Sequence, residues 1–132
     1  MTFELLALVG VVGILFLILM YQGALVPLNQ GFGWGLGSRD LQCDKTVSQG
    51  RAARTVANHL EATAMFAPLI IVAHLADVST TVTVWGAGLF LASRAAFACL
   101  YLAGVPVLRS VAWGISIIGL LMIAAELVRA AL

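Results

Sequence analysis

Four apolar runs, each long enough to cross a bilayer, take up most of this chain: residues 3–26, 55–76, 81–103 and 108–128. A span needs roughly 20 apolar residues to cover a hydrocarbon core of ~30 Å. Lipid offers no partner for an open N–H or C=O, so each run must satisfy its own backbone as a helix. The connections are unequal: a long segment at 27–50, a tight turn at 77–80, then Gly104-Val105-Pro106. The two short links force antiparallel neighbours. The sequence therefore predicts an all-α membrane protein, one up-down four-helix bundle over residues 1–132, with helices at 3–26, 51–76, 81–103 and 107–130 and a loop at 27–50.

Composition agrees. The chain is 62% hydrophobic and 10% charged, against about 25% charged residues in a typical soluble domain. A net charge of +1 and the lack of any Lys/Arg-rich run exclude a nucleic-acid surface. The first run carries Glu4 where a signal peptide has basic residues, and it exceeds the usual length of such a peptide's apolar region. It is expected to stay in the mature protein. Cys43 and Cys99 form neither a disulfide framework nor a CxxC motif. Cys99, inside an apolar run, is expected in helix packing.

Basic residues set an expected orientation. Arg39, Lys45, Arg51 and Arg54 lie in or beside the long loop and Arg109 beside the third link, whereas the second link has none and Arg129 is the one counterexample. The positive-inside rule puts loops one and three in the cytoplasm and both termini outside it. Within the long loop, Gly31-Phe32-Gly33-Trp34-Gly35-Leu36-Gly37 does not fit a nucleotide-binding GxGxxG and follows no strand. Its alternating glycines and aromatics are expected to form a flexible interfacial loop.

Polar residues interrupt the second run. At 100° per residue from Arg51, Arg54 falls at about 300°, Asn58 at about 340° and Glu61 at about 280°, one face roughly a quarter-turn wide. A charged side chain near the bilayer centre costs on the order of 3 kcal/mol, so such a stripe turns toward protein or water and marks a site. The third run adds Arg94, Phe97 and Tyr101 along a second line, and Arg109 and Ser110 follow its end. These two faces and the basic link converge at one membrane depth. Trp85 and Trp113 are expected in the interfacial aromatic belt. His59 and His74, fifteen residues apart, make no metal-ligand pair and are expected as packing or interface residues, so no metal is assigned.

The run Arg51-Ala-Ala-Arg54-Thr-Val-Ala-Asn58-His-Leu-Glu61, followed by Phe66, resembles the second-helix signature of the MAPEG family, the membrane-associated proteins in eicosanoid and glutathione metabolism. The stretch Arg94-Ala-Ala-Phe97-Ala-Cys-Leu-Tyr101-Leu-Ala-Gly104-Val-Pro106-Val-Leu-Arg109-Ser110-Val-Ala-Trp113 resembles the third helix and the start of the fourth in bacterial members. The resemblance implies a homotrimer in a bacterial inner membrane that binds glutathione as co-substrate from the cytoplasmic side. Arg54, Asn58 and Glu61 would hold the tripeptide, Arg51 would assist at the mouth of the site, and Arg94 and Tyr101 would touch it from the third helix. Arg109, with Ser110 beside it, would stand near the sulfur.

The chemistry fits those residue types. Glutathione has two carboxylates and one amine, so it asks for arginines and a carboxylate. A cation near the thiol, of reference pKa about 8.5, favours the nucleophilic thiolate. The implied activity is a membrane glutathione transferase or peroxidase acting on a lipophilic small molecule, an electrophile or a lipid hydroperoxide, with membrane lipids around it. Ala62, Pro68 and Phe97 depart from residues common in the family and bear on turnover more than on binding. A non-catalytic lipid-binding or scaffold homologue is the alternative. A proton-coupled exporter would need a lone mid-membrane carboxylate; Glu4 is terminal and Glu61 has arginine neighbours.

Overall fold

The computed structural model describes every residue except Arg39, Leu41 and Gln42; Arg39, one of the basic residues used for orientation, lies outside the described residues. The chain runs α1 (Phe3–Gln30), α2 (Phe32–Leu36), α3 (Val47–Leu75), α4 (Thr81–Ala103) and α5 (Pro106–Ala131). All but α2 are long and apolar enough to span a membrane. The architecture is the expected all-helical up-down bundle of an integral membrane protein. Contact is most extensive between α4 and α5, and α1 packs on α3 and α4 without reaching α5.

Two helix bounds differ from the expected ones by more than a single residue. The first helix continues to Gln30 with Pro27 inside it, because a proline removes one ladder bond without ending a helix that packs on both sides of it. Helix α3 begins at Val47, four residues early. Thr46 and Gln49 form a reciprocal capping box, with Gln49 Oε1 accepting from the Thr46 N–H at 2.9 Å. The same Gln49 amide donates to Gln30 Oε1 at 2.6 Å and to the Leu25 carbonyl at 3.3 Å. One side chain thus starts α3 and fastens it to the end of α1.

The glycine-aromatic stretch is also more ordered than expected. Residues 32–36 form a short helix in which Gly35 is buried against Val26 and Pro27. A small residue there lets α2 lie close to α1, and this packing outweighs the poor helix propensity of glycine.

The larger buried cluster lies toward the Glu4 end of the bundle. Ala7 and Val11 of α1, Ala62, Phe66 and Ile70 of α3, Ala87 and Phe90 of α4, and Ile123 of α5 form one buried cluster. The rings of Phe66 and Phe90 stack at 4.1 Å with 3° between their planes. Where α4 meets α5, a Cβ on Gly119 would come within 2.7 Å of the Gly86 carbonyl oxygen. Small residues let helix backbones approach where lipid supplies no hydrophobic drive for association. At one end of the bundle the buried Glu4 carboxylate accepts from Ser79 Oγ at 2.9 Å and Thr83 Oγ1 at 2.6 Å, tying the start of α1 to the α3–α4 turn. The opposite end gathers the start of α3, the end of α4 and the start of α5.

Cys99 is exposed on the bundle rather than packed inside it, and Cys43 is exposed too. Apolar character alone does not say which side of a membrane helix faces protein, since lipid accepts the same residues.

Candidate functional site

At the end opposite Glu4, α3, α4 and α5 diverge around an open cleft of about 420 Å³. Helix α3 supplies Arg54, Ala57, Asn58 and Glu61; α4 supplies Phe97 and Tyr101; α5 supplies Arg109, Ser110 and Trp113. The helical stripe of the sequence is therefore one wall of a real cavity. A neighbouring cavity of about 210 Å³ shares Arg54, Tyr101 and Arg109 and adds Arg51, Gly104 and Pro106. Arg51 thus stands beside the cleft, toward the membrane surface.

The turn from α4 to α5 brings the last arginine into place. Gly104 ends α4 in the left-handed region, with φ 80°, and Pro106 opens α5. Position 104 needs glycine for its left-handed backbone; a Cβ there would also meet the Arg51 guanidinium, the free end of a side chain that can swing aside. Arg109 and Ser110 then occupy the first turns of α5. The Ser110 hydroxyl donates to the Pro106 carbonyl at 3.1 Å.

Tyr101 joins the two cleft arginines. Its hydroxyl accepts from Arg54 Nε at 3.2 Å, and the Arg109 guanidinium carbon lies 4.3 Å from its ring centroid. Tyr101 meets Phe97 edge to face at 5.4 Å, and Arg94 lies 4.4 Å from the Phe97 centroid. The cation, ring and phenol expected along α4 are in contact, with a second cation added from α5. Such cation–ring contacts hold a guanidinium in position while leaving its N–H donors free for an anion.

The expected site residues separate into two layers. Arg54, Asn58, Glu61, Tyr101, Arg109 and Ser110 face the cleft, and Arg51 faces its neighbour. Arg94 does neither. It is 0% exposed and lies behind Asn58, to whose Oδ1 it donates at 3.0 Å, so in the subunit its reach to a ligand is through that amide. Glu61 forms no ion pair or hydrogen bond among the described residues, and its carboxylate stays exposed.

Two residues make contacts beyond those expected of them. Trp113, expected in the aromatic belt, lines the cleft while still 46% exposed, whereas Trp85 is 69% exposed away from it. Trp113 lies four residues past Arg109, one helical turn along the same face, and that spacing was the available signal. His59, expected only to pack, is wholly buried and hydrogen-bonded on both sides of its ring.

Chemically, the cleft offers two guanidiniums, one carboxylate, an amide, a phenol and a hydroxyl from three helices, with the Trp113 and Phe97 rings beside them. That set can hold a zwitterionic ligand carrying carboxylates and an amine, keep a cation near a developing anion, and admit an apolar partner from the lipid side.

Comparison with known proteins identifies the family. A model of the MAPEG family matches residues 5–129, nearly the whole chain. No curated protein and no solved structure gave a match. With four spanning helices, the α3 stripe and a family match that runs from α1 into the last turn of α5, the chain belongs to the MAPEG family.

Proposed function

We propose that this protein is a membrane glutathione transferase or peroxidase acting on a lipophilic electrophile or a lipid hydroperoxide, working as a homotrimer with its clefts open to the cytoplasm and its termini on the other side of a bacterial inner membrane. The observation that carries the reading is the charge order of the cleft: Arg54 and Arg109 on either side of Tyr101, with the unpaired Glu61 carboxylate further along α3. Glutathione is the complementary ligand. One carboxylate pairs with Arg54, the amine with Glu61, and the sulfur comes under Arg109. Membership in the MAPEG family supports glutathione-related or eicosanoid chemistry in general, and the residues of the cleft favour glutathione within that range.

In the reaction, Arg109 stabilises the thiolate by charge, and Ser110 offers a hydroxyl beside it. In transfer, the sulfur pair forms a bond to the electrophilic carbon of a lipophile, and the leaving group departs with its own electron pair. In peroxide reduction, two glutathione molecules give up two electrons as they join in a disulfide, and the hydroperoxide becomes an alcohol and water. Trp113 marks the side from which the apolar substrate arrives.

The same geometry supports assembly. Arg54 and Glu61 are exposed on the single subunit within a spanning helix, a position that lipid penalises and a neighbouring subunit relieves. The test is titration of purified protein in mild detergent with glutathione, following heat and thiolate absorbance, then conjugation of a chloronitrobenzene and reduction of a lipid hydroperoxide. Binding with thiolate formation and turnover of either substrate is expected. Binding without thiolate or turnover would overturn the transferase reading and leave a non-catalytic homologue.

A further inference from the structure

Arg94 is a guanidinium that forms no ion pair among the described residues, wholly buried between α3 and α4. Arginine carries only donors, so each neighbour that accepts from it must present a lone pair. Two neighbours do. Nη1 donates to Asn58 Oδ1 at 3.0 Å, and Nη2 lies 3.4 Å from His59 Nδ1. Nε has no hydrogen-bond partner among the described residues. On the far side of the imidazole, Nε2 lies 3.0 Å from the Val11 carbonyl oxygen of α1.

These contacts leave His59 one tautomer. The Val11 carbonyl can only accept, so Nε2 must carry the hydrogen; Arg94 can only donate, so Nδ1 must be bare. The two requirements come from different helices and agree. They also orient the Asn58 amide, because Oδ1 is engaged by Arg94 and the NH2 group is left on the side of the cleft that Asn58 lines.

We infer that His59 is a positioning residue which, through Arg94, holds the Asn58 amide with its N–H groups toward the cleft, so that the ligand group received at Asn58 is an acceptor, a carboxylate or an amide carbonyl. The hydrogen bonds run in one line from the Val11 carbonyl through His59 and Arg94 to Asn58. A cation on the amide oxygen polarises the NH2 group and strengthens it as a donor. Along α3 the cleft then reads cation at Arg54, donor at Asn58 and acceptor at Glu61. An amino group is excluded from Asn58 and directed to Glu61. The inference rests on the proposed glutathione function for the identity of its ligand, but the tautomer and the amide orientation stand apart from it.

The experiment has two arms on the full chain in detergent. His59 and His74 are the chain's two histidines, so nitrogen-15 labelling of histidine gives two imidazoles, and a His74→Gln variant assigns them. At neutral pH His59 is expected as the Nε2–H tautomer, with Nδ1 unprotonated. An Nδ1–H tautomer or an imidazolium would overturn the relay whether or not glutathione binds. The second arm measures glutathione affinity. Asn58→Asp keeps an acceptor for Arg94 but turns an oxygen toward the cleft, and is expected to weaken binding at least tenfold with thermal stability kept or raised. His59→Leu is expected to weaken binding by a similar factor, and His59→Gln, whose amide accepts from Arg94 and donates to Val11, to restore most of it. Unchanged affinity in Asn58→Asp would overturn the inference, as would a His59→Gln variant that folds yet binds no better than His59→Leu. Should wild type bind no glutathione while His59 shows the expected tautomer, the functional reading fails and the relay stands.

Discussion

The Arg109 guanidinium lies over the ring of Tyr101, 4.3 Å from its centroid, and so reaches from the first turns of α5 across the end of α4. The same tyrosine accepts from Arg54 at 3.2 Å. One side chain therefore sets the spacing of the two cations that the cleft offers to an anionic ligand, and its two ends can be tested apart.

Tyr101→Phe keeps the ring under Arg109 and removes the hydroxyl from Arg54. Glutathione affinity is expected to fall a few-fold with kcat nearly kept, since a hydrogen bond to a charged group contributes on the order of 1.5–3 kcal/mol when buried and less at an exposed arginine. Tyr101→Leu removes both contacts and is expected to lower kcat as well. Steady-state kinetics of the two variants checks this; equal kcat in both would mean that the ring does not position Arg109.

Arg109→Ala should separate chemistry from binding. The charged ends of the tripeptide are held from α3, so affinity is expected to stay within about threefold while thiolate absorbance near neutral pH and turnover fall at least tenfold, as a pKa shift of about one unit requires. Loss of affinity in step with turnover would instead place Arg109 on a carboxylate.

Arg54→Ala and Glu61→Gln each remove one partner of a charge pair with the ligand. Each is expected to weaken glutathione binding at least tenfold, because truncating a desolvated pair leaves the other charge unpaired. Calorimetric titration on protein of unchanged oligomeric mass checks it. Wild-type affinity in both variants would make the α3 stripe structural.

Assembly has its own measurement. Mass determination in mild detergent is expected to give three copies, with α3 and its exposed Arg54 and Glu61 turned to subunit boundaries. A monomer, or an antiparallel dimer, would contradict the proposal. Cross-links between cysteines introduced at Ala57 and along α5 would report which faces meet.

Gly119→Ala probes the bundle rather than the site. Its Cβ would stand 2.7 Å from the Gly86 carbonyl oxygen and 3.0 Å from the Phe90 amide nitrogen, both backbone atoms that cannot swing away. Separation of α4 from α5 is expected to cost about 1–3 kcal/mol, read as a lower unfolding temperature in detergent. An unchanged midpoint would mean that the two helices slide apart freely.

The number of spanning helices, their antiparallel order and the α3 stripe were legible from the sequence, because span length and the angle between successive residues are local properties of a chain. Arg54, Asn58 and Glu61 share a face wherever that helix goes, and the tight link through Gly104 and Pro106 requires Arg109 to return beside Tyr101. Helix bounds were less legible: the Thr46–Gln49 capping box that starts α3 is a local pattern, but the bonds from Gln49 to Gln30 and Leu25 that fasten this start to α1 are not. The same holds for Cys99, for the helix at 32–36 and for Trp113, since an apolar or aromatic side chain on a membrane helix suits lipid and protein alike. Only the tertiary structure decided that Arg94 stands behind the cleft instead of in it. A guanidinium needs acceptors, and those it found, Asn58 and His59, lie on another helix 36 and 35 positions away. His59 in turn owes its protonation to Val11 of α1, 48 positions off. Periodicity places a side chain on its own helix; what that side chain can donate or accept depends on what the fold sets against it.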